Sequence, residues 1–219
     1  MNVHDVAPAQ PDLERGLRVP ARRGPAVWAP PAGLSDLRGR AFPGRVLGFP
    51  AGDVVVVSGL PGSGKSTLIR RSGQIRRVDS QDTRDRWDAR VRGRLPYAVY
   101  RPLVRAAHYF GLVRALRGAA GVVVHDCGTL PWVRRWVARE ARRRGVGVHL
   151  VILDVPPGVA LAGQRARGRA VSRYAFVRHR QATRALLAAA EADGSAGGCD
   201  SVVLLDRGGA DGVGAIRFQ

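Results

Sequence analysis

The 219-residue chain is nearly devoid of lysine: of its 36 basic side chains only Lys65 is an ammonium, and the rest are arginine. Cysteine is almost as scarce. Cys127 and Cys199 stand alone, which excludes a disulfide framework and predicts a reducing, cytoplasmic setting. No apolar run approaches the roughly 18 residues that a membrane-spanning helix needs, so no membrane partner is expected. Met1 to Gln10 contains His4 and Asp5 and lacks an apolar stretch, so no secretory signal is predicted there. Acidic residues are also few, 17 against the 36 basic ones, which leaves a formal net charge of +19. That surplus points to a polyanionic partner, because basic contacts to phosphates dominate nucleic-acid affinity. The same arginine bias also reads as a compositional habit that spreads arginine over every solvated face.

What the chain does possess is concentrated at Gly59-Leu60-Pro61-Gly62-Ser63-Gly64-Lys65-Ser66-Thr67, directly after the apolar run Val54 to Ser58. This fits G-x-x-x-x-G-K-[ST], the Walker A pattern, between a buried strand and a helix predicted from Lys65 to about Ser72. Glycines let the backbone close around a phosphate with its N–H groups, because positive φ and close approach are cheap only without a Cβ. Lys65 reaches the terminal phosphates, and Ser66 can place its hydroxyl on Mg²⁺. The chain's single ammonium thus stands where a compact charge on a flexible stem suits phosphate better than a planar fork.

The length allows one α/β domain with an appendage. Residues 1–50, rich in proline and arginine, read as a partly irregular extension. Its second half, from Trp28 to Gly52, gains enough apolar residues to pack on a core as short strands or loops. Residues 51–219 read as the nucleotide-binding domain. Strands are expected at Val54–Ser58, Ile75–Val78, Val122–His125, Val148–Leu153 and Val202–Leu205. Between them, helices are expected at about Asp82–Arg90, from Tyr97 or Pro102 to Leu116, after a Thr129 cap, from Val159 to Arg165, and from a Ser172 cap to Ala192. Leu103, Ala106, Ala107, Phe110, Val113 and Leu116 form the expected inner face of the second of these. Trp132, Val133, Trp136 and Val137 form that of the third, with the tryptophans read as core. Alternation of this kind makes a doubly wound, five-stranded parallel sheet with helices on both faces and ligands at the carboxyl ends of the strands.

Three polar clusters fall at those ends. Asp126 closes the third strand, the Walker B position, where a carboxylate holds Mg²⁺ directly or through water. Asp79, Gln81, Asp82 and Arg84 follow the second strand, where a carboxylate can take the proton of an attacking hydroxyl and an arginine can grip a phosphate. Arg165, Arg167 and Arg169 gather where a helix breaks at Gly168, placed to cover a transferring phosphoryl group. His125 and Cys127 read as structural.

From about Asp53 to Leu187 the chain resembles the small P-loop kinases. The likeness lies in Gly-x-Pro-Gly-Ser-Gly-Lys-Ser-Thr, the acidic segment ending in Arg84, Val-Val-Val-His-Asp followed by a Thr-x-Pro helix, and Leu-Asp-Val-Pro before an arginine-rich lid. Polynucleotide 5′-hydroxyl kinases and the zeta-toxin-like group are similar in layout. The resemblance implies ATP and Mg²⁺, with Lys65 and Ser66 on phosphates and metal, Asp126 near the metal, Arg84 on the acceptor side, and Arg165 or Arg167 as lid. In those kinases an aspartate stands three residues before the arginine, and here that position is Gln81. Glutamine takes no proton, so Asp79 and Asp82 are the candidates.

The resulting expectation is a kinase that transfers the γ-phosphoryl group of ATP to a hydroxyl of a polynucleotide end, a nucleotide sugar or another small molecule. The rivals are an NTPase switch, for which Gln81 would orient water, an ABC-type ATPase module, and a nucleic-acid-binding protein regulated by nucleotide. Leu161-Ala162-Gly163-Gln164 is a poor match to the signature of an ABC module.

Overall fold

A computed structural model describes residues 26–42, 44–71, 76–91, 96–118, 120–126, 131–168 and 171–219. Residues 1–25 and Thr129 therefore lie outside it. At its centre is β4 (Val54–Gly59), four consecutive valines whose β-branched side chains suit a strand covered on both faces. Val54 and Val56 point into one apolar cluster and Val55 and Val57 into another. All four are buried, each contributing roughly 1.5–3 kcal/mol of transfer free energy.

The remaining elements follow in chain order. β1 (Val27–Trp28), β2 (Gly33–Asp36) and β3 (Val46–Phe49) precede β4, and α1 (Lys65–Arg70) follows it. Then come β5 (Arg76–Val78), α2 (Ser80–Val91), α3 (Tyr97–Leu116), β6 (Val122–His125), α4 (Pro131–Arg143) and β7 (Val148–Leu153). The chain continues with α5 (Pro157–Arg165), α6 (Arg173–Asp193), β8 (Ser201–Leu205), α7 (Arg207–Gly212) and β9 (Ala215–Phe218).

All five expected strands are present in one parallel sheet, ordered β2-β8-β7-β4-β6-β5. The sheet has six strands, not five. The sixth is β2, Gly-Leu-Ser-Asp, which pairs with β8 along its whole length. As a half-exposed edge strand it carries a single strongly apolar residue, so no periodicity announces it. A second parallel sheet, β1-β3-β9, lies on the face that also holds α1 and α7. Helices α3, α4 and α6 cover the opposite face.

One expected inner face is rotated and another is borne out in the main. On α3 the buried residues are Tyr100, Val104, Leu112, Ala115 and Leu116, while Leu103 and Phe110 are 54% and 70% exposed. This helix carries two apolar stripes, and the one with Val104, Leu112 and Leu116 wins the sheet. On α4 Val133, Trp136 and Val137 pack on the core as expected, joined by Ala138 and Ala141, while Trp132 is half exposed and rests against the Tyr109 ring, centroids 5.6 Å apart.

Polar side chains lock the sheet at both edges. Arg38 bonds Asp36, Asp154 and Glu191 at 2.6–2.9 Å, joining β2 to the end of β7 and to α6. At the amino ends of the strands, His149 is bonded to Asp53 and Ser201, both at 2.8 Å, and all three are buried. Among the described residues no helix is long and apolar enough to cross a membrane.

Candidate active site

β4 runs straight into the glycine-rich loop, whose backbone only glycine tolerates. Gly59, Gly62 and Gly64 have φ of 140°, 92° and 105°. A Cβ on Gly62 would stand 2.0 Å from the carbonyl oxygen of Ala160, and one on Gly59 2.6 Å from that of Leu153. The loop is therefore wedged between the end of β7 and α5. The Lys65 ammonium is 4% exposed and donates to the carbonyl oxygens of Gly59 and Leu60 at 2.6 and 2.7 Å. Within the same loop the Ser63 hydroxyl is buried with no partner among the described residues. Leu60 packs on Ala160 and Phe176, and Thr67 sits in the first turn of α1.

Gln164 ties the loop to the segment between α5 and α6. Its Nε2 donates to the Pro61 carbonyl at 2.9 Å and its Oε1 accepts from the Val171 amide at 3.1 Å. Helix α5 ends at Arg165, and Gly168, φ +62°, breaks the chain as expected. Ser172 caps α6 by accepting from the Ala175 amide.

A cleft of about 600 Å³ opens beside the loop. Gly62, Gly64, Lys65 and Ser66 form one wall, Asp79, Asp82, Asp85 and His125 another, and Arg167 and His179 complete the lining from the end of α5 and from α6. Arg77, Asp79 and Asp82 also border an adjoining cavity of about 330 Å³, whose other walls include Arg76, Arg86, Trp87, Arg90 and His108. The stripe of α3 that does not face the sheet, with Ala107 and Phe110, lines this second cavity.

The structure gathers some predicted residues and separates others. Asp79 and Asp82 are in the cleft with Lys65 and Ser66. Asp79 Oδ1 lies 2.7 Å from His125 Nδ1, with side chains 10% and 11% exposed. Asp126 does close β6, but its Oδ2 accepts from Arg134 at 2.9 Å, and it is not among the cleft residues. Arg84 is on the exposed side of α2, 3.6 Å from Asp88. Arg167 lines the cleft, whereas Arg165 is exposed outside its lining. Arg169 and Cys127 lie outside the described residues, as does the Gln81 side chain.

Sequence reasoning passed over His125, Gln164, Arg77, Asp85 and His179. His125 had a signal, a polar side chain at the carboxyl end of an apolar strand. For Gln164 and His179 none existed, because their place in the cleft depends on how α5 and α6 fold back. His108, behind Asp79, is held below the usual imidazole range by burial, with Asp79 opposing that shift and His125 adding to it.

A family profile described as an AAA domain matches residues 54–192. No curated protein matches the sequence. Among solved structures, one of the PezAT chromosomal toxin–antitoxin system of Streptococcus pneumoniae is similar in fold, with a TM-score of 0.52 and 17% identity over 71% of this chain and 67% of that one. The tunicamycin resistance protein of Deinococcus radiodurans is 16% identical, TM-score 0.37, over 62% of this chain and 80% of that one. A sugar kinase from Janibacter is 21% identical, TM-score 0.37, over 71% of this chain and 85% of that one. From β4 through nearly all of α6 the matched segment contains the glycine-rich loop, the acidic wall facing it and the segment from α5 to α6, and the chain belongs to this AAA-domain family of P-loop proteins.

Proposed function

We propose that this protein transfers the γ-phosphoryl group of ATP to a hydroxyl of a second substrate. One observation carries the reading: the loop, the acidic start of α2 and an arginine of the lid line the same cleft. Its donors suit a magnesium nucleotide. They comprise the backbone amides of a loop whose glycines hold positive φ, a Ser63 hydroxyl with no partner among the described residues, an ammonium, and carboxylates across the cleft. When bound, the magnesium nucleotide supplies the phosphoryl group and neutralises its charge.

In this reading residues 51–219 form the nucleotide-binding unit and residues 1–50 its extension, working in the cytoplasm. Lys65 and the backbone amides of Gly62, Gly64, Lys65 and Ser66 would hold the phosphate tail, within a loop formed by Gly59, Leu60, Pro61, Gly62, Ser63, Gly64, Lys65, Ser66 and Thr67. Ser66 holds the metal, with Asp126 acting on it through water because Arg134 occupies one of its oxygens. Asp82 or Asp79 orients the acceptor hydroxyl and receives its proton. Arg167 faces the charge on the transferring group, while Arg84 and Arg165, outside the cleft lining, have no part in this reading. The adjoining cavity, with Arg76, Arg86 and Arg90 beside Trp87, favours an acceptor that itself carries phosphate, either a small molecule or a nucleic-acid end.

The test is γ-labelled ATP offered with 5′-hydroxyl DNA and RNA, nucleosides and nucleotide sugars, using Lys65→Ala as control. Label should move to a phosphate-bearing acceptor, and the variant should neither bind ATP nor transfer label. Phosphate release without any labelled acceptor would replace this reading with an NTPase switch. Unchanged transfer by Lys65→Ala would refute the role of the loop.

A further inference from the structure

Arginine is everywhere in this chain, and much of it is answered by carboxylates. Arg38, Arg71, Arg134 and Arg207 each meet one within 3.8 Å. The outer face of α4 differs. Arg135, Arg139, Arg142 and Arg143 are all exposed, and their spacing of four, seven and eight residues puts them on one side of the helix. Together with Gly197 they line an open cavity of about 490 Å³ in which no carboxylate takes part. Among the described residues, Arg135 and Arg139 meet no acidic group. Glu140 is 3.5 Å from Arg143, an arginine 70% exposed, in a pair that solvent screens.

The carboxylates of the neighbouring loop are held by backbone amides and form no ion pair with the four arginines. Asp193 accepts from the amides of Ser195 and Ala196, both at 2.8 Å, and Asp200 accepts from that of Val148 at 2.7 Å. The loop also stays low beneath the arginines: a Cβ on Gly198 would stand 2.7 Å from Nη2 of Arg142. The opposite face of α4, through Val137, Ala138 and Ala141, supplies the packing on the sheet. The arginine face therefore carries more positive charge than the acids around it answer, and among the described residues only Arg142, through the Ala138 carbonyl, and Arg143, through Glu140, of its four side chains have a polar contact within the fold.

We propose that this face of α4 binds the sugar–phosphate backbone of a nucleic acid. Guanidinium forks match phosphate oxygens two at a time. From Arg135 to Arg143 the helix rises about 12 Å, a length over which one strand of a duplex presents several phosphates, one per about 3.4 Å of duplex axis. The lining is arginine and glycine alone, with no apolar wedge for a lipid surface. Gly197 precedes β8 and Arg143 ends α4, so the deep end of this surface lies at the amino edge of the sheet, opposite the phosphate-binding loop. Backbone binding here is separate from phosphoryl transfer and does not depend on it.

The experiment is anisotropy titration of a labelled oligonucleotide of about 30 nucleotides, single-stranded and duplex, with the full chain and no ATP, between about 50 and 200 mM salt. Changing all four arginines to glutamate should weaken binding by at least about 100-fold and reduce the log–log salt slope by about three. A control with Arg105, Arg114, Arg117 and Arg184 changed to glutamate has the same net charge and should lose no more than about threefold at the upper salt, where fields are screened within about 8 Å. If the glutamate variant melts early, the corresponding Arg→Gln variant serves, with a loss of at least about tenfold expected. The proposal is overturned if wild type does not bind, if the control loses as much as the α4 variant, or if anionic vesicles or polyglutamate bind as tightly as nucleic acid.

Discussion

Nδ1 of His125 stands 2.7 Å from Oδ1 of Asp79, so that the end of β6 fixes the carboxylate at the end of β5 within the cleft. His125→Phe removes this partner while keeping a ring of similar size. A part-buried hydrogen bond to a charged group contributes about 1.5–3 kcal/mol, so phosphoryl transfer should fall roughly 10- to 100-fold. ATP affinity, set by the loop, should change by less than about threefold. Rapid-quench turnover and calorimetric binding separate the two, and an equal loss in both would mean that the pair shapes the whole site.

Gly62 and Ala160 have no space between them for a methyl group. With φ of 92° as well, Gly62→Ala should cost at least about 2 kcal/mol and abolish nucleotide binding. Gln164→Leu is the milder probe. It leaves the Pro61 carbonyl without its donor, at about 1–3 kcal/mol, and should raise the KM for ATP several-fold. Denaturant unfolding and ATP titration check both, and wild-type behaviour of Gly62→Ala would exclude the wedge described for the loop.

Asp53, His149 and Ser201 join three neighbouring strands at the edge remote from the loop. Ser201→Ala strands one nitrogen of a buried imidazole and should destabilise the fold by about 1–3 kcal/mol. Nucleotide affinity at the far edge should be unchanged. A lowered urea midpoint with an unaltered binding isotherm is the expected result.

Burial pushes the Cys199 thiol up to about 11. The folded state therefore holds this proton more tightly than the unfolded chain. The resulting stabilisation is complete below the ordinary thiol range and is lost as pH rises through about 11. Near pH 8, alkylation of Cys199 should run about 100-fold slower than in denaturant, as peptide mapping would report. Rapid modification under native conditions would mean that this part of the core opens readily.

What could be read beforehand follows from the range of the interactions. The valine runs of β4, β6 and β7, the Walker A loop, the Ser172 cap and the break at Gly168 are each set by residues adjacent in sequence, and they stand where expected. The partners of those elements are set by packing. Leu103 and Phe110 have a helical spacing as good as that of Val104 and Leu112, and only the docked sheet and the cavity beside α2 decide between the two stripes. Likewise Asp126 keeps its place at the strand end, while Arg134, one turn into the next helix, takes its carboxylate. Gly33 to Asp36 becomes a strand only because β8 presents a bare edge.

In the smaller sheet, Val46–Phe49 lies between Val27–Trp28 and Ala215–Phe218. Parallel pairing across nearly the whole described chain carries a large loop-closure entropy, so this layer is expected to close late in folding. Until it does, Val55 and Val57, on the strand that feeds the nucleotide loop, have water where Phe49 and Ile216 belong. The underside of the strand that leads into the glycine-rich loop is thus roofed by the segments that take longest to meet.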